Sequence, residues 1–193
     1  MTYDAQKFAI PELDGISAET IELHLGLYEG YVKHVNMIRE KIAAYLNDES
    51  CNAYAIAEMQ RRLGFEFGGM KNHEAYFAQF VGGQAELADG PLKDKLAYQW
   101  GSFDAWLERF KAIAMTRGVG WAMLYHDHHT DQLVQTWVDE QHLGQLPEGH
   151  IILALDMWEH SYMRDYLPSA KGEYVDAFFK NLNWGVVAAR LEG

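Results

Sequence analysis

Asp156 and His160 stand at the two ends of the stretch Asp156-Met157-Trp158-Glu159-His160, which runs straight on into Ser161 and Tyr162. A carboxylate followed by an imidazole at this spacing can turn toward one point and hold a metal ion. Oxygen and imidazole donors without a thiolate suit manganese or non-haem iron, and zinc less specifically. The pair alone is weak evidence, because a surface acid beside an ordinary histidine has the same spacing. The apolar run before it, Ile151-Ile152-Leu153-Ala154-Leu155, has the length and residue type of a buried strand. A carboxylate at the end of such a strand is itself buried and requires a partner. Further ligands are therefore expected elsewhere in the chain.

Three other groups of residues could take part. His24, Tyr28 and Tyr31 lie at helical spacing, on one face among Leu23, Leu27, Val32 and Val35. By itself this reads as a buried histidine satisfied by a tyrosine hydroxyl. His73 follows Gly68 and Gly69 by about one turn, a pattern that suggests close backbone approach. The run His126-Asp127-His128-His129-Thr130-Asp131 resembles a metal cluster but reads as a solvated hairpin turn, with adventitious metal at most. Two histidines on separate helices, with the aspartate and histidine at one strand end, would make a site of three nitrogens and one oxygen between two halves of the chain. Sites between domains are common. The sequence contains no CxxC, HExxH, phosphate-binding glycine loop or GxSxG elbow.

The elements that must position these residues follow from periodicity and punctuation. Ser17 reads as an N-cap with Glu19 in the first turn, opening a helix from Ala18 to about Leu46. A second helix is expected from Asn52 to Arg62, a break at Phe65-Glu66-Phe67-Gly68-Gly69, and a third helix through Met70–Phe77. Val81-Gly82-Gly83 and Asp89-Gly90-Pro91 form a linker. Beyond it come a short helix from Pro91 and another from Phe103 capped by Ser102. Strands follow over Trp121–Tyr125, Leu133–Val138 and 151–155, then helices over Glu173–Asn183 and from Trp184. The expected fold is α+β: an N-terminal helical hairpin domain, residues 1–87, then an α/β domain, residues 88–193, with a small antiparallel sheet of about three strands.

A chain of 193 residues with 49% hydrophobic and 23% charged residues is an ordinary globular protein with room for a sizeable core. No apolar segment approaches the ~18 residues that span a bilayer. The start Met1-Thr2-Tyr3-Asp4-Ala5 lacks the character of a signal peptide. The single Cys51 permits no internal disulfide, and a cytoplasmic location is expected. A net charge of −12 speaks against nucleic acid or an anionic membrane as partner.

The chain resembles the iron/manganese superoxide dismutase family over nearly its whole length. Asp156-Met157-Trp158-Glu159-His160-Ser161-Tyr162 matches that family's DxWEHxY signature, and Ile16 to His24 matches its first-ligand segment. Asn72-His73 with Tyr76-Phe77 matches the second-ligand helix. Gly101-Ser102-Phe103, Gly118-Val119-Gly120-Trp121 and Asn183-Trp184 match further landmarks. The resemblance implies His24, His73, Asp156 and His160 as ligands of one manganese or iron ion per chain. Superoxide is then the substrate, and a homodimer or tetramer the expected assembly. It implies Tyr31 as the tyrosine gating the channel and Gln141 as the residue holding the metal-bound solvent. Tyr28, Gly69, Tyr76, Trp121, His142, Trp158 and Glu159 are expected around them.

In manganese-type members the glutamine comes from the position of Gln141, and in iron-type members from that of Gly69, so manganese is favoured. A slip of one residue would put His142 in the role instead. The chain also departs from the family. Between His24 and Tyr31 it has one residue fewer than the family spacing, and the usual histidine pair there is absent, with Leu27 and Tyr28 in its place. Met163 replaces a tyrosine that normally meets the missing histidine across the dimer interface. Glu159, which in the family reaches the opposite subunit's last ligand histidine, is kept. A two-histidine, one-carboxylate iron oxygenase and a non-dismutating relative are the competing readings; four ligands speak against both.

Overall fold

The computed structural model describes residues 2–48 and 52–192, so Cys51 lies outside the described residues. Helix α1 spans Ala18–Leu46 and begins where Ser17 accepts a hydrogen bond from the Thr20 amide at 3.2 Å. Helix α2 spans Ala53–Ala78 without interruption. This corrects the expected break at Phe65–Gly69. Gly68 and Gly69 are sites of close approach, not helix breakers. A Cβ on Gly68 would stand 2.2 Å from the Gln141 carbonyl oxygen, and one on Gly69 2.5 Å from the Tyr31 ring. Each glycine costs the helix about 1 kcal/mol relative to alanine, which packing against α1 and the 141 loop offsets.

Helices α3 (Pro91–Trp100) and α4 (Phe103–Ala114) follow, α4 capped by Ser102 and burying Trp106, Phe110 and Ala114. Strands β1 (Gly120–Asp127), β2 (Gln132–Asp139) and β3 (Gly149–Asp156) form an antiparallel sheet in the order β2-β1-β3. The central strand β1 is buried over nearly its full length, packed between helices. It runs two residues further than expected and takes His126 out of the turn, opposite Leu133 on one side and His150 on the other. After β3 a short 3-10 turn covers Glu159–Ser161, and helices α5 (Lys171–Asn181) and α6 (Trp184–Ala189) finish the chain.

The two segments are joined at the end of α2. The Gln79 side chain donates to Ala154 O and accepts from Ala154 N, both at 2.8 Å, in the manner of an added strand on the edge of β3. The guanidinium of Arg190 donates to Ala75 O, Ile152 O and Gln79 Oε1, locking the C-terminus across the same joint. Among the described residues no helix is long and apolar enough to cross a membrane.

Candidate metal centre

Four elements deliver one side chain each to a single point. His24 comes from α1, His73 from α2, Asp156 is the last residue of β3, and His160 lies in the turn that follows. Their ligand atoms all lie within 4.8 Å of one another, the only such group among the described residues. Asp156 Oδ2 is the focus, 3.1 Å from His24 Nε2, 3.2 Å from His160 Nε2 and 3.6 Å from His73 Nε2. Its other oxygen is taken by the Trp158 amide at 2.8 Å, so only Oδ2 turns inward.

These contacts do not make an ordinary hydrogen-bonded cluster. The Nδ1–H of His73 donates to Gly69 O at 2.6 Å, which fixes the tautomer and leaves Nε2 as a bare lone pair, buried and without a partner. Burial, followed by the nearby His24, pushes the His73 imidazole down to about 3. Burial lowers His24 as well. Burial alone would raise the Asp156 carboxyl, but the facing His160 and His24 imidazoles outweigh it and hold it below the ordinary range. The His73 Nε2 lone pair, 3.6 Å from the Asp156 carboxylate oxygen, repels it unless a cation stands between them. The donor set, three nitrogens and one anionic oxygen, fits manganese or iron.

A second layer fixes the first. Tyr174 donates to Asp156 O at 2.9 Å and accepts from the Tyr76 hydroxyl at 3.2 Å, while the Tyr76 ring packs 5.0 Å from that of His24. The hydroxyl of Ser161 lies 2.7 Å from Trp158 O and 3.0 Å from Asp156 O. The Trp158 ring stacks on His160 at 5.7 Å and its indole N–H donates to Glu140 O.

Gln141 is fully buried and points inward. Its Oε1 accepts from the Trp121 indole N–H at 2.9 Å, and its Nε2 donates to the Tyr31 hydroxyl at 3.0 Å. Its backbone carbonyl receives Asn72 Nδ2 and Gln145 Nε2. His142 turns the other way, against Phe65 and Gly64. The Tyr31 ring lies 5.0 Å from that of His73, and burial, then Asp156 and Glu66, raises its hydroxyl well above the ordinary phenol range. With Nε2 of Gln141 donating to it, Tyr31 is free to turn its own proton toward the ligands.

Tyr28 is buried but not at the centre. Its hydroxyl accepts from the Gln6 amide at 2.8 Å and faces Glu74, and its ring packs against Phe8 and Phe77. Glu159 is exposed. His126 is buried, contrary to the reading of a solvated turn. The sequence reading gave no role to Asn72, Gln145 or Tyr174. Asn72, beside a ligand on a buried helix face, carried the one available signal.

Two family descriptions match the chain: the alpha-hairpin domain of iron/manganese superoxide dismutases over residues 7–81 and the C-terminal domain of the same family over residues 88–190. Among individual proteins, the chain is 36% identical to one named superoxide dismutase (Mn) 2 from Haloferax volcanii, over 86% of this chain and 81% of that protein. It is 36% identical to superoxide dismutase (Fe) of Aquifex pyrophilus, over 93% of this chain and 86% of that protein. Its identity to superoxide dismutase (Mn) of Haloarcula marismortui is 42%, over 86% and 79% respectively.

Proposed function

The chain belongs to the iron/manganese superoxide dismutase family, and from that premise we propose which of its residues carry the conversion of two superoxide ions and two protons to dioxygen and hydrogen peroxide. The observation that carries the assignment is the meeting of His24, His73, Asp156 and His160 around one point. A manganese or iron ion there supplies one-electron exchange with superoxide, which zinc does not. With Asp156 as the only anionic ligand, the centre keeps a net positive charge and attracts an anion. The imidazole of His160, partly exposed beside Trp158, marks its open side.

Tyr31 and Gln141 serve the proton supply. Gln141 is fixed at both ends of its amide, and Tyr31, kept protonated by its surroundings, holds a proton at the edge of the site. A glutamine entering from the loop after β2, with Gly69 on α2, supports manganese over iron. The chain's ligand pairs come one from residues 1–87 and one from 88–193, and we take these as its two domains. Leu23 (53% exposed), Leu27 (44%) and Met163 (46%), with the exposed Glu159 nearby in sequence, support a homodimer in which apolar contact replaces a polar pair. The single cysteine supports a cytoplasmic location.

The test is to strip the purified protein, reload it with manganese or iron, and measure metal per chain and turnover. Manganese is expected to restore the greater activity, and activity with iron alone would overturn the preference. Asp156→Ala should lose metal and activity together; full metal content in that variant would overturn the ligand set. Leu27→Glu should shift light scattering from dimer to monomer, and an unchanged mass would remove Leu27 from the interface.

A further inference from the structure

At the far end of the sheet the structure holds a second set of imidazoles that dismutation does not use. On β1, Trp121 stands opposite Asp156, whereas His126 stands opposite His150. Five residues at ~3.3 Å each put the two places roughly 17 Å apart. His126 is 5% exposed, and its Nε2 meets Asp131 Oδ1 at 2.9 Å. A carboxylate only accepts, so Nε2 carries the proton and Nδ1 presents a lone pair. That Nδ1 is buried and has no hydrogen-bond partner.

Two more imidazoles lie beside His126. His128, in the turn just after β1, packs its ring 4.5 Å from that of His126. His150 is the cross-strand partner of His126 and packs 5.6 Å from His128. Asp131 is held in turn by Lys95. An imidazole whose outer N–H is fixed by a carboxylate while its inner nitrogen is free is the arrangement of a metal ligand with its orienting partner. A nitrogen left buried and unpaired is destabilising, and a cation shared with the two neighbours removes that cost. His129 is engaged elsewhere, with Glu148 at 2.7 Å.

We propose that His126 Nδ1, His128 and His150 form a second cation site, distinct from the dismutase centre, for a borderline divalent ion of the zinc class. Three imidazoles with one open position suit such an ion. The site closes when the exposed His128 and the partly buried His150 turn their rings toward His126 Nδ1, and the bound ion ties the β1–β2 turn to β3. Its role is structural, and it is independent of the redox ion.

Manganese-loaded protein titrated with Zn2+ against a colorimetric chelator tests this, with manganese and zinc counted per chain. One zinc per chain is expected in addition to undiminished manganese, with a rise in Tm on zinc addition. His128→Ala, at an exposed position, should weaken zinc binding at least tenfold and abolish the rise in Tm. Asp131→Asn should weaken binding roughly tenfold. His129→Ala should bind as the parent does, and neither histidine variant should change dismutase turnover. No zinc beyond the manganese, zinc taken up only as manganese is lost, or uptake indifferent to His128→Ala would each overturn the site.

Discussion

Gln141, the one side chain among the described residues that bonds both Trp121 and Tyr31, is the residue on which we propose the chemistry of this centre turns. Outer partners of this kind typically change activity or metal affinity by about 10–100-fold. Gln141→Leu is therefore expected to keep the ion, lose turnover by roughly that factor, and alter the visible spectrum of the oxidised metal. His142→Ala, whose ring packs on Phe65 outside the ligand group, should be mild. The reverse pattern would place His142 in the role. The neighbouring pair was ambiguous in sequence because counting back from Asp156 carries an error of one. The geometry resolves which side chain points inward, since burial of adjacent residues on a loop is set by backbone turns that periodicity does not report. Tyr28 illustrates the same limit. Helical spacing puts it on the face of His24, yet its hydroxyl turns to Gln6 and Glu74, because side-chain direction depends on what the N-terminal segment places there.

Among the elements, those with a single clean period were legible. Helix α1 begins and ends where its cap and apolar stripe indicate, and all three strands were found from alternating or continuous apolar runs. Helix α2 was not, since Gly68-Gly69 is an ordinary stop signal and only the partners reveal why it is not one here. Gly68→Ala would drive a methyl into the Gln141 carbonyl, backbone that cannot swing aside. A loss of about 1–3 kcal/mol in denaturant unfolding is expected. Gly69→Ala presses instead on the Tyr31 ring, which can move. It should retain metal and lose turnover by displacing the Tyr31 hydroxyl from Gln141. Wild-type stability in Gly68→Ala, or wild-type turnover in Gly69→Ala, would show that these contacts are looser than the structure has them. His126 was misread for a related reason: a polar run suggests a turn, and only strand pairing shows that its first histidine belongs to β1.

For the molecule as a whole, the centre depends on how firmly its two ligand pairs are held together, and the sheet edges show how that is done. Two glutamines close the two edges in the same way. Gln79 exchanges both hydrogen bonds with Ala154 on β3, and Gln99 exchanges both with Leu133 on β2. Nothing in the sequence marks either residue, because a lone glutamine near a helix end is common. Gln79→Leu and Gln99→Leu each leave a strand N–H and C=O without their partner, costing about 1–3 kcal/mol per buried group. Both variants should therefore unfold more readily. They differ in position, since Ala154 lies two residues before Asp156 and Gln79 continues the helix that carries His73, whereas Gln99 and Leu133 lie away from every ligand. Only Gln79→Leu loosens the joint between His73 and Asp156. Metal release into excess chelator should be faster in Gln79→Leu than in the parent and unchanged in Gln99→Leu, at a temperature where both remain folded. Equal release rates in the two variants would mean that edge pairing stabilises the sheet without setting the geometry of the metal site.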